Sequence, residues 1–303
     1  MGSTKYWYRC CWSLSLLSLL LISCGKSERE QDNSVKGQLE RAMKIENLGL
    51  RSKKLLSIAD TQIELEDSVN GKVTIELAAD TAKEVKDPYD RGAALNSVAY
   101  AFAKHDLKDK SSDALKEAYR TVPDIEEADR SVAVLAKMGE IQIRFLEQVN
   151  TGEQMFEEAA TLAAESSNPE QKLRAKMNLA FHLDRVKRGE VRDELIQDAF
   201  EALEQIVEPR DRSETGADLA SRLLQLKLAD LADQAFNQAE KDAASIQDPL
   251  SQGYALCEIG SRLLKAKRTQ AAQRVFDRAK AVAEKVTDKG LRTELLKRIT
   301  DQK

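Results

Sequence analysis

The first residue whose chemistry stands out is Cys24, in Leu21-Ile22-Ser23-Cys24-Gly25, between an uncharged run from Ser13 to Ser23 and a wholly polar stretch from Ser27 to Ser34. A thiol at such a boundary can accept an acyl group, and a small residue just before it suits cleavage of an export segment. Elsewhere the chain offers little reactive chemistry. His105 and His182 belong to no ligand pair at metal-binding spacing, and His182, beside Phe181 and Leu183, reads as a packing or surface residue. Cys257, between Leu256 and Ile259, reads as a buried, inert thiol. Paired acids such as Glu126-Glu127 and Glu157-Glu158 read as solvated helix faces, and there is no glycine-rich phosphate loop. These residues predict no catalytic site, no metal site, no cofactor and no small-molecule substrate.

Upstream of the boundary, Lys5 and Arg9 precede the apolar run without any acidic residue, the charge order of a secretory signal. The run falls well short of the ~20 residues a membrane-spanning helix needs. Residues Leu21 to Cys24 resemble the lipobox of bacterial lipoproteins: an apolar residue three before the cysteine, a small one just before it, then the cysteine. The resemblance implies a diacylglycerol on the Cys24 thiol, cleavage before Cys24 and acylation of the new amino group. Several acyl chains hold a protein to a membrane, whereas one gives only marginal binding. The other reading is an ordinary signal peptide with an accidental cysteine. Gly2 does not fit N-myristoylation, because Tyr6 stands where Ser or Thr is required. In enteric lipoproteins Asp after the cysteine favours the inner membrane, so Gly25 favours the outer one. The expected division is 1–23, a cleaved signal peptide; 24–46, a lipidated cysteine and polar tether; and 47–303, a folded domain on the periplasmic side of a bacterial envelope, with ordered structure starting between Val35 and Glu46.

The chain has 47 Lys and Arg against 51 Asp and Glu. Without residues 1–23, which carry Lys5 and Arg9, a mature chain has 45 basic and 51 acidic residues, a net of −6. No basic surplus points to nucleic acid. Cys257 is the only other cysteine of the mature chain, so no internal disulfide framework remains and stability rests on packing. With few Gly and Pro and only 5% aromatic residues, the composition predicts an all-α protein.

A beat of forty residues runs through it. The five prolines fall at 88, 123, 169, 209 and 249, the last three forty apart, and Pro88, Pro169, Pro209 and Pro249 mark helix starts, with Asp, Asn or Glu before each as the N-cap. Ala78, Ala118, Ala159, Ala199, Ala239 and Ala279 recur at forty, apart from one step of 41. Three residues before each stands a large apolar residue and seven after another, Ser166 excepted, which places all three on one helix face. The positions Leu256, Ile259, Gly260, Leu263, Ala272, Phe276 and Ala279 resemble the tetratricopeptide repeat, and the copy from Gly216 to Ala239 is close to it. The resemblance covers 47–303 and implies a right-handed α-solenoid of six stacked helix pairs with a lone last helix from about Asp288. The copy from Glu126 to Asn168 is irregular: Lys137 fills an apolar slot, and about two residues read as inserted.

The resemblance implies a concave face lined by the first helices, with Asn96, Tyr100, Lys104, Arg174, Met177, Phe181, Arg185, Ser221, Gln225, Tyr254, Ser261 and Lys265 pointing into a groove that takes a protein or peptide. The Lys and Asn arrangement by which some members clamp a C-terminal carboxylate is not reproduced. One basic position also repeats near the start of the first helices, at Arg51, Arg91, Arg130, Lys172, Arg212 and Arg292, with Gln252 the exception; it reads either as a stripe for an anionic ligand or as local structural pairing. The function expected is a non-catalytic, membrane-anchored binding scaffold, with envelope assembly as its setting by analogy; the alternative is a structural protein that self-associates through convex or end surfaces.

Intact-mass analysis of the membrane-extracted protein tests the anchor. A chain beginning at Cys24 with added acyl mass is expected, and Cys24→Ala abolishes both changes.

Overall fold

The computed structural model of the chain describes residues 33–302; Cys24, the expected signal segment and residues 24–32 of the expected tether lie outside the described residues. Among the described residues the chain is all helix apart from turns. A short helix α1 (Val35–Met43) is followed by six pairs: α2 (Leu48–Glu64) with α3 (Ser68–Lys83), α4 (Pro88–Lys104) with α5 (Lys108–Tyr119), α6 (Ala128–Arg144) with α7 (Val149–Glu165), α8 (Pro169–Arg185) with α9 (Gly189–Glu204), α10 (Pro209–Gln225) with α11 (Ala229–Ala244), and α12 (Pro249–Lys265) with α13 (Thr269–Ala283). A lone α14 (Lys289–Asp301) closes the array. Because α1 buries Ala42 and packs on α2, the packed helices include Val35–Met43, inside the segment read as tether. No helix among the described residues is long and apolar enough to cross a membrane.

The boundaries follow from local chemistry. Asp87, Asn168, Asp248 and Asp288 each accept a hydrogen bond from the backbone N–H three residues on, and proline follows the first three. Glu208, longer by a methylene, makes no such bond. Pro123, off the forty-residue beat, lies in the 3₁₀ turn Val122–Asp124, and α6 begins at Ala128 with no proline. The first helices end through a residue in the left-handed conformation, Glu66, Asp106, Glu147, Lys187, Lys227 and Lys267, with φ from 60° to 66°. The next N–H then bonds back into the helix, as Leu228 does to the Leu223 carbonyl at 3.0 Å. None of the six is glycine, so the turn carries no glycine signature.

The irregular copy holds one extra residue, not two. Lys104 and Arg144 end α4 and α6 forty apart, but Asp106 and Glu147 are separated by 41, so the insertion falls at Phe145–Leu146, just past the helix.

All six ladder alanines are fully buried, and the large residues three before them are at most 4% exposed. A small side chain on one helix admits the large one of its neighbour, the packing that the tetratricopeptide resemblance implies. First helices of successive pairs rest on one another, while second helices mainly touch first helices, so the first helices form the inner layer. The tightest crossing is in the irregular copy. A Cβ on Gly139 of α6 would lie 2.9 Å from the Gly152 carbonyl oxygen of α7, and the reverse holds as well.

Since neither backbone can yield there, Gly139→Ala is expected to cost about 1–3 kcal/mol despite alanine's better helix propensity. Urea unfolding followed by circular dichroism measures it.

Candidate functional site

The repeating basic position resolves first, in favour of structure. Arg212 donates to the Ile206 carbonyl and to Asp242, each at 2.8 Å, Arg51 donates to the Ile45 carbonyl, and Gln252 reaches the carbonyls of Ala243 and Ala244. Arg91 faces Asp124 at 4.0 Å. Arg51, Arg212 and Gln252 thus tie the turns before α2, α10 and α12 to carbonyls at the end of the preceding helix or just past it.

The inner layer holds a different cluster, where α4, α6 and α8 meet. At its centre Glu140 of α6 has no exposure at all. Its Oε2 accepts from His182 Nδ1 at 2.8 Å and from Lys137 Nζ at 3.1 Å; its Oε1 accepts from Arg185 Nε at 2.7 Å and from Arg144. Burial pushes this carboxyl up, but the His182 hydrogen bond and the Lys137 charge outweigh it and hold it well below the usual carboxylate range. Burial also drives His182 down, and the Lys137 and Arg185 charges add to that, against the pull of Glu140. A neutral His182 facing a carboxylate must carry its proton on Nδ1. Three cations against one carboxylate leave a net charge of +2 at the site.

Aromatic rings flank these charges. Tyr100 of α4 meets the inserted Phe145 edge-on, with centroids 5.1 Å apart. Lys137 stands 5.3 Å from the Tyr100 centroid, Arg144 lies 5.1 Å from that of Phe145, and Arg185 5.7 Å from that of Phe181. All three rings are half-buried, and the cationic side chains keep 27% to 39% of their surface. The cluster can therefore offer stacked rings and unspent N–H donors to an anionic, partly apolar ligand.

Three of the anticipated groove residues, Tyr100, Phe181 and Arg185, converge here. Lys104 is exposed and pairs with Asp60 of α2 at 2.8 Å, the equivalent of the Arg185–Glu140 contact two pairs earlier. Arg174 binds Asp129 of α6 at 2.9 Å. Tyr254 lies apart, under the Arg298 guanidinium, in a cleft between α10 and α12 with Arg210, Glu214 and Glu258. Ser221 is spent on the Ala217 carbonyl of its own helix, and Gln225 and Lys265 are exposed. Asn96, Met177 and Ser261 are buried, so their side chains face the core rather than a groove. Asn96 donates to the Val134 carbonyl at 2.9 Å, Ser261 bonds the Cys257 carbonyl and Gln302, and Met177 is core. Further rungs join the inner helices: Arg222 to Asn178 at 2.8 Å and Arg262 to Asp218 at 3.3 Å, each between residues 44 apart.

Glu140 and Arg144 occupy the same repeat columns as Tyr100 and Phe181, and as Lys104 and Arg185. Continuing those columns through the irregular copy would have found them, and Lys137 in an apolar slot was the visible sign. His182 is the packing residue expected, though its partner is a carboxylate. Cys257 is buried, and burial pushes its thiol up, away from nucleophilic use. Among the described residues no His, Cys, Asp or Glu cluster could hold a metal ion.

No protein-family model and no curated protein matches the sequence. Among solved structures, Ton1535 from Thermococcus onnurineus NA1 is 18% identical, covering 88% of this chain and 83% of its own, with a TM-score of 0.30. A putative kinesin light chain from Podosopora anserina with nearly identical TPR-like repeats is 13% identical over 67% of this chain and 98% of its own, TM-score 0.35. The apo form of RapI is 15% identical over 87% and 77%, TM-score 0.36. Superpositions this loose decide nothing about function, and the helix-pair array is read from this chain's own helices.

The cluster sets a pH dependence. His182 has a depressed folded value, so the unfolded chain binds its proton first, and stability falls as pH drops below about 6.5. Glu140, also depressed, contributes stability above about 4.3 that is lost as pH falls further. The urea midpoint is expected to fall between pH 7.5 and 5.5, and less steeply in His182→Gln.

Proposed function

We propose that this chain is a non-catalytic binding scaffold, tethered by acyl chains on Cys24 to the periplasmic side of a bacterial membrane, the outer one favoured, whose inner layer takes an extended protein or peptide segment during envelope assembly. The observation that carries the binding half of this reading is the cluster around Glu140. A carboxylate with no exposure fixes three cations beside three half-buried rings, and such rings and guanidinium groups dominate binding energy at protein interfaces. The net positive charge suits a partner segment with carboxylates next to an apolar or aromatic side chain. The remaining inner surface, with Lys104, Gln225 and Lys265 exposed, extends the same face along the array.

The test is binding of acidic, aromatic-containing peptides to the full chain, measured by fluorescence anisotropy. Phe181→Ala and Tyr100→Ala are each expected to weaken binding about tenfold or more, with Gln225→Ala near neutral. Raising salt from 0.05 to 0.5 M should weaken it further. Unchanged affinity in both aromatic variants would contradict the assignment of the inner layer as the binding face.

A further inference from the structure

The second helices present a repeating outer column that is polar in every pair but the first. Positions equivalent to Val73 of α3 hold Asp113, Gln154, Glu194, Gln234 and Arg274. The columns of Val69 and Leu77 are polar in the same five helices. In α3 all three positions are apolar and open: Val69 is 76% exposed, Val73 57% and Leu77 36%, with Leu65 at the start of the row 66% exposed. In later pairs the Leu77 column reaches the preceding second helix, as Glu158 of α7 does when it accepts from Tyr119 of α5 and Arg278 of α13 when it donates to Glu240 of α11, while the Val73 column stays open to solvent in every pair. Among the described residues, only α1 stands ahead of α3; it is equivalent to the second half of such a helix and packs on α2. Unlike the other second helices, α3 carries an exposed apolar ridge along its outer face.

Val69, Val73 and Leu77 are spaced by four and form a single i±4 ridge. The ridge is also complementary to itself. A two-fold axis through Val73 sets Val73 against its own copy and Val69 against Leu77 in both directions, the reciprocal contact an isologous interface requires. The same axis brings Lys72 of each copy within a turn of Glu76 in the other, a second cation beside the Lys110 that Glu76 already faces in its own chain.

We propose that the α3 ridge is a homodimer interface, through which a second copy of this chain covers the apolar outer face of the first pair. The inner layer is left free in both copies, so this inference stands independently of the peptide-binding reading.

Sedimentation of the full chain in mild detergent tests it. The wild type is expected at twice the monomer mass. Val73→Glu, which alters an exposed residue and should leave the helical circular dichroism unchanged, is expected to raise the dissociation constant about 100-fold by burying a charge. Gln154→Glu, in the same column of another pair, should leave the dimer intact. Under mild oxidation Val73→Cys should form a disulfide-linked dimer, and Gln154→Cys only the background of the wild-type cysteines. A wild type that is monomeric at every concentration overturns the proposal, as does a dimer that survives Val73→Glu. A monomeric wild type whose binding to phosphatidylglycerol vesicles is lost in Val73→Glu overturns it in favour of a lipid surface.

Discussion

A carboxylate with no access to water is costly unless charge and hydrogen bonds surround it, and the inner layer is organised around that constraint at Glu140. Four donors from α6 and α8 converge on its two oxygens, so neither helix can shift without leaving the charge uncompensated. The donors are thereby fixed as well. Each guanidinium spends only part of its hydrogen-bonding capacity on Glu140 and lies over a ring that limits its freedom. The arrangement a ligand would use is thus already present, and the ordering cost that usually opposes binding by long cationic side chains is reduced.

The rest of the array supplies the frame by a simpler rule. Alanine, glycine or serine on one helix admits a large apolar side chain from the next, six times over, and weaker polar rungs such as Arg262–Asp218 hold successive inner helices in register. Departures from that rule fall in two places. One is the extra residue after Arg144, which puts Phe145 against Tyr100 without breaking a helix. The other is the first outer helix, where valine and leucine replace acids and amides. Repetition acts as an internal control: a residue that breaks its column, where its neighbours keep it, asks for a local cause.

Much of the fold was legible in the sequence. The alanine ladder, the Asp-Pro starts and the lone last helix all depend on short-range spacing, and each lies where that spacing placed it. The turns after the first helices were not legible, because Lys, Glu and Asp occupy left-handed positions that glycine usually marks. On the inner layer the columns led to Tyr100, Phe181 and Arg185. They stopped short of Glu140 and Arg144, because a one-residue slip after α6 made that copy look out of register from its beginning. Asn96 and Met177 show the opposite error. One residue along a helix is about 100° around it, enough to turn a side chain from groove to core.

Amide hydrogen exchange on Glu140→Gln beside the wild type tests most directly whether this buried carboxylate pins the inner layer. The account predicts protection falling by about tenfold or more in α6 and α8, with α10 to α13 unchanged. Protection in α6 and α8 equal to the wild type would contradict it.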